Sequence, residues 1–128
     1  MLLVFEMKRQ VFGAGKTLPI SSAVVAEGKL VFVSGMGPGR EDLDKGIEEQ
    51  TRATMDSIKA VLEKVGSSMD NIVKATVFLK DMSHYDAMNK VYGSYFKKEP
   101  PARTCVQIVR SPASEKQLIE IEVVALVP

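Results

Sequence analysis

Leu118-Ile119-Glu120-Ile121-Glu122-Val123-Val124-Ala125-Leu126-Val127 decides the fold. Its apolar, β-branched residues read as a strand. Within it, Glu120 and Glu122 alternate with Ile119 and Ile121. A carboxylate in such a strand is costly unless it meets water or a partner. Side chains alternate between faces, so one face is dry and the other carries both acids. A second run, residues 103–109, reads as a neighbouring strand with Arg103 at its mouth and Cys105 two residues on. A guanidinium can grip a carboxylate in two parallel hydrogen bonds. Arg103 is therefore either a ligand clamp or half of an ion pair with Glu120 or Glu122. Glu120 likewise reads as a site acid or base, or as an interface salt bridge.

Upstream, Ile72-Val73-Lys74-Ala75-Thr76-Val77-Phe78-Leu79-Lys80 alternates with Val73, Ala75, Val77 and Leu79 on one face. Residues 47–65 place Thr51, Met55, Ile58, Leu62 and Val65 on one helical stripe, and Gly66 can stop it. Ser83 and Asp86 form a Ser-x-x-Asp start signal for a second helix with an inner face of Tyr85, Met88, Tyr92 and Tyr95. Pro100-Pro101 ends that helix. Residues 9–12 suggest an edge strand. Residues 22–26 and 30–34, separated by Glu27-Gly28-Lys29, suggest a hairpin.

The predicted order is β-β-β-α-β-α-β-β. This is an α+β, two-layer fold with a six-stranded mixed sheet and two helices on one face. Two helices leave the other face bare. Phe78 and Thr76 fall there, with Arg103, Cys105 and Gln107 or their alternates from the neighbouring strand. A second subunit is the expected cover.

At 128 residues, 45% hydrophobic and 26% charged, the chain suits one domain spanning residues 1–128. Residues 1–6 form a possible N-terminal extension, too short and wrongly flanked for a signal peptide. A net charge of +1 disfavours nucleic acid, and no apolar run reaches membrane length. The single cysteine suits a reducing, cytoplasmic setting. With one cysteine and one histidine, His84, no metal-ligand spacing exists, and no base is evident for a Cys105 nucleophile. Gly15-Lys16-Thr17 imitates the end of a phosphate-binding loop, but Gln10 stands where that motif needs glycine.

Pro101-Ala102-Arg103-Thr104-Cys105-Val106, followed by Ile119-Glu120-Ile121-Glu122, resembles the C-terminal signature of the reactive intermediate deaminase (Rid, YjgF) family. Residues 30–35, 71–82 and 88–92 resemble that family's third strand, central strand and second helix, in the same order. The resemblance implies a chorismate-mutase-like fold, a homotrimer with sites in clefts between subunits, and no cofactor. It implies hydrolysis of 2-imino or enamino acids to 2-keto acids and ammonia. Arg103 matches the residue that binds the substrate carboxylate, and Glu120 the glutamate associated with the attacking water. Ser34, Asn89 and Cys105 match pocket-lining residues. The chain departs at Leu18-Pro19-Ile20-Ser21-Ser22, where Ile20 replaces a tyrosine that commonly completes the pocket. That departure keeps a non-catalytic carboxylate binder, regulator or stress chaperone as the alternative, with an endoribonuclease behind it.

Overall fold

A computed structural model describes residues 8–128; the proposed extension at residues 1–6 lies outside the described residues. The strands are β1 (Arg9–Ala14), β2 (Ser21–Ala26), β3 (Lys29–Met36), β4 (Ile72–Leu79), β5 (Ala102–Gln107) and β6 (Ile119–Val127). The helices are α1 (Ile47–Lys64) and α2 (Tyr85–Gly93). This is the expected element order, folded as a chorismate-mutase-like mixed sheet with two helices. The strand order is β1-β2-β5-β4-β6-β3. β4 runs parallel to β5 and antiparallel to β6, and β3 runs antiparallel to β6.

The alternation in β4 and β6 decides what is buried. Ala75, Val77 and Leu79 pair in register with Val123, Ile121 and Ile119, and all six are buried. Met55, Ile58 and Leu62 of α1 and Met88 and Tyr92 of α2 complete that core. Each fully buried aliphatic side chain contributes roughly 1.5–3 kcal/mol of transfer free energy. Helix α1 ends as its sequence suggests. Gly66 takes a positive φ of 85°, its N–H reaches the Glu63 carbonyl at 3.2 Å, and Ser67 N–H reaches Leu62 at 2.8 Å. That double bond satisfies carbonyls that a helix end otherwise leaves free.

Three expectations are corrected. First, β2 and β3 do not form a hairpin. β2 pairs with β1, from Arg9↔Ala26 to Ala14↔Ser21, while β3 pairs with β6. The β1–β2 ribbon touches β5 at one register pair, Ser21↔Ala102. At its far end the Arg9 side chain donates to the carbonyls of Ile72 (3.0 Å) and Glu99 (2.8 Å). The ribbon thus crosses the ends of β5 and β4. Glu27-Gly28 then carries the chain to β3 instead of reversing it onto β2. Second, Ser83 is not the cap of α2. The Asp81 carboxylate accepts from Ser83 N–H at 2.9 Å, a 3-10 turn covers Met82–His84, and α2 follows. Asp81 accordingly titrates below the ordinary carboxylate range, chiefly through that backbone hydrogen bond. Third, the helix closes at Gly93, so Tyr95 lies past its end. The Tyr95 hydroxyl donates to Asp56 at 2.6 Å, and burial pushes it up to about 12.

The face away from the helices is bare. Phe32 is 74% exposed, with Leu30 and Val106 also exposed. Phe32, Lys74, Thr76, Glu122 and Val124 line a shallow hollow there of about 180 Å³.

Candidate functional site

The register assigns each candidate to a face. Arg103 pairs with Ala75 and Cys105 with Val77, both buried under the helices. Arg103 and Cys105 therefore lie on the helix-covered face. Thr104 and Val106, the alternates, take the open face, and Lys74 donates to Thr104 Oγ1 there at 3.0 Å. Glu120 pairs with Phe78 and Glu122 with Thr76, on the open face. Of the two placements left open for this strand, the alternates face the acids, and Arg103, Cys105 and Gln107 do not. An Arg103 ion pair with Glu120 or Glu122 does not form, because β4 separates the strands and the side chains point oppositely.

Arg103 is half-buried and packed against α2. Its Nη2 donates to the Tyr85 hydroxyl at 3.1 Å, and Nη1 lies 3.8 Å from the Met88 sulfur. The guanidinium carbon sits 4.8 Å from the Tyr92 ring centre and 5.6 Å from that of Tyr85. Ring faces attract a cation, but none of these partners is an anion. The ion pairs among the described residues are Lys45–Asp42, Lys90–Glu48, Arg110–Glu115 and Lys116–Asp44. Arg103 belongs to none of them. Tyr85, Met88 and Tyr92 were legible only as a core stripe, and nothing in their spacing marks them as arginine partners.

Asn89 follows Met88 on α2 with 9% exposure, and neither atom of its side-chain amide finds a partner. The buried Tyr92 hydroxyl is also unpartnered, and burial raises it well above the ordinary phenol range. Buried polar atoms are ordinarily paired, so polar capacity is left unused along α2. Burial pushes the Cys105 thiol up, with the Arg103 charge pulling partly back. Cys105 is a poor nucleophile in that setting.

The second group lies on the open face. The Ser111 hydroxyl donates to Glu120 Oε1 at 3.2 Å, and the carboxylate lies against the Gly35 backbone. A Cβ on Gly35 would come within 2.5 Å of Glu120 Oε2, so any larger residue there would push the carboxylate out of this position. Ser34, the preceding residue, is exposed. Gln50, buried in the first turns of α1, holds this end together. Its Nε2 donates to the carbonyls of Leu43, Lys45 and Lys116 at 3.1–3.2 Å, and its Oε1 accepts from Leu118 N–H at 2.8 Å. Ser111 and Gln50 were not identified from sequence, and a buried glutamine on an otherwise polar helix turn carries no local signal.

Ile20 lies at the entry to β2, next to Ser21, which pairs with Ala102 just before Arg103. The Ser21 N–H bonds the Pro101 carbonyl at 3.2 Å. Ile20 lines a cavity of about 300 Å³ with Gly13, Gly15, Lys16, Thr17, Leu18 and Ser22, and that lining includes neither Arg103 nor Glu120. Lys16 and Thr17 lie in a bend and no helix begins there, which leaves a plain glycine-rich turn.

An open mixed sheet with both helices on one side, an unpaired arginine beneath them and a glutamate on the bare face define the fold class. A YjgF-family protein from Neisseria meningitidis shares it, with a TM-score of 0.68 at 31% identity over 95% of this chain and 97% of that one. The family described as Endoribonuclease L-PSP matches residues 16–127. A RutC family protein of Pyrococcus horikoshii is 38% identical over 125 residues, spanning 93% of this chain and 98% of its own. One from Saccharolobus solfataricus is 40% identical over 125 residues, spanning the same shares. The chain belongs to this YjgF/RutC/L-PSP family.

Proposed function

We propose that the protein hydrolyses 2-imino acids, and their enamine tautomers, to 2-keto acids and ammonia. The carrying observation is Arg103, a half-buried cation with no anion among the described residues. A substrate carboxylate would complete it and fix the adjacent C2 carbon in place. Water then adds to C2 as the C=N π electrons move to nitrogen. Glu120 takes one proton of the water and gives it to that nitrogen, leaving a carbinolamine with a hydroxyl and an amine on C2. It then takes the hydroxyl proton and passes it to the amine, so that the C–N bond breaks as C=O forms and ammonia departs. General-base assistance of this kind contributes about 10²–10⁴-fold.

Arg103 and Glu120 cannot serve one substrate within one chain, since the sheet lies between them. We assign the site to clefts between the subunits of a homotrimer, where Arg103, Cys105 and Asn89 of one copy would meet Glu120 and Ser34 of the next. The bare face around Phe32 is suited to such a contact. The expected result is that 2-imino acids, generated in situ from L-amino acids by an amino-acid oxidase, decay faster with the protein and not with Arg103→Ala. Acceleration of none of them would overturn the deaminase.

Ile20 supports a second reading, since it offers no hydroxyl to a substrate. On that reading the same arginine holds a small carboxylate without turnover, as a binder or regulator. The endoribonuclease activity in the family description has weaker support here. The net charge is +1 and the lone histidine, His84, offers no partner for acid–base cleavage of RNA.

A further inference from the structure

We propose that the Tyr85 hydroxyl is a second donor to the carboxylate held by Arg103. The inference rests on the carboxylate-binding reading and adds a residue to it. Tyr85 opens α2, set by the Asp81 cap and the 3-10 turn before it. Its oxygen accepts from Arg103 Nη2 at 3.1 Å, which occupies a lone pair and leaves the phenolic proton free. Among the described residues that proton has no acceptor. Accepting from a cation polarises the O–H and strengthens it as a donor. The proton thus emerges beside the guanidinium, where an anion bound to Arg103 would present its oxygens. Tyr85 is half-buried and reachable, whereas Tyr92 is fully buried and supplies only its ring face.

The consequence is selectivity. A ligand without a carboxylate would leave both the guanidinium and the phenol unpaired, and sites built on such pairs reject analogues that lack the group. With Ile20 lacking a hydroxyl, this pairing places the site's phenol at the carboxylate end of the ligand.

The test uses 2-oxobutanoate as probe, with dissociation constants read by titration of the full-length protein. Tyr85→Phe removes one oxygen and keeps the ring under Arg103. It is expected to weaken binding about tenfold, as for a hydrogen bond to a charged group. The same substitution is made in an Arg103→Lys background, titrated to saturation. Direct donation predicts that the roughly tenfold loss persists there. An unchanged constant for Tyr85→Phe in the native background overturns the inference while the Arg103 reading stands. A loss seen only when Arg103 is present also overturns it, since Tyr85 would then merely position the arginine. Native protein that binds no 2-oxobutanoate would bring down the carboxylate-binding reading and this inference with it.

Discussion

Arg103 and Glu120 occupy opposite faces of one sheet, Arg103 in register with Ala75 under the helices and Glu120 in register with Phe78 on the bare side. Strand pleat dictates this, because in-register partners share a face and neighbours along a strand alternate. Moving Glu120 across would take a one-residue slip of β6, which would also turn Ile119, Ile121 and Val123 out of the core. Moving Arg103 would take a slip of β5 against β4, which would bring Thr104 under the helices and carry Cys105 to the bare face.

The first prediction concerns the bare face. Phe32→Asp places a charge where 74% of the phenylalanine is exposed in the single chain. The isolated fold should tolerate it, so the variant should still unfold cooperatively in urea, losing only the stabilisation that assembly gives the native chain. Sedimentation should show a trimer for the native protein and a monomer for the variant. A native monomer at micromolar concentration would remove the subunit-cleft account.

A second prediction concerns Gln50. Replacing it by Leu leaves the Leu118 N–H and three loop carbonyls without their partner. Unsatisfied buried groups cost about 1–3 kcal/mol each before relaxation. We expect a stability loss of about 2–4 kcal/mol and lower turnover, because the segment that carries Ser111 and leads into Glu120 loosens. Retained stability would show that water replaces the side chain at no cost.

Cys105 yields a prediction about pH. Burial raises its thiol pKa above the unfolded value, so the folded chain binds a proton that the unfolded chain releases sooner. Its contribution to stability is complete below the unfolded thiol pKa and is lost as pH rises through the folded one. Unfolding midpoints followed upward through the ordinary thiol range should fall, and Cys105→Ser should remove that component. Alkylation at neutral pH should be slow. Fast alkylation would contradict the assignment.

Much of this architecture was legible because β4, β6 and α1 repeat their apolar residues at the periods of a half-buried strand and an amphipathic helix. Faces along β5 were not, because Arg103, Cys105 and Gln107 have no apolar alternation to set them; only pairing with β4 does so. The β2–β3 hairpin failed for a related reason. Glu27-Gly28-Lys29 is sound turn chemistry, yet pairing is decided over distance, and β6 offers β3 a better-buried partner. Arg103 and Glu120 were recognisable as chemistry from their place in apolar strands. Tyr85, Ser111 and Gln50 were not, since each acts through a contact made only in the folded chain.

Mixing two disabled variants tests the central claim most directly. Arg103→Ala and Glu120→Gln should each lack 2-imino acid hydrolysis alone. Unfolded together in equal amounts and refolded, they should form mixed trimers in which an intact arginine faces an intact glutamate across one interface. Random assembly predicts about a quarter of the native activity per chain, because threefold closure leaves one intact cleft in each mixed trimer. Recovery near that level is the expected result. Mixed trimers that form and stay inactive would contradict a site shared between chains.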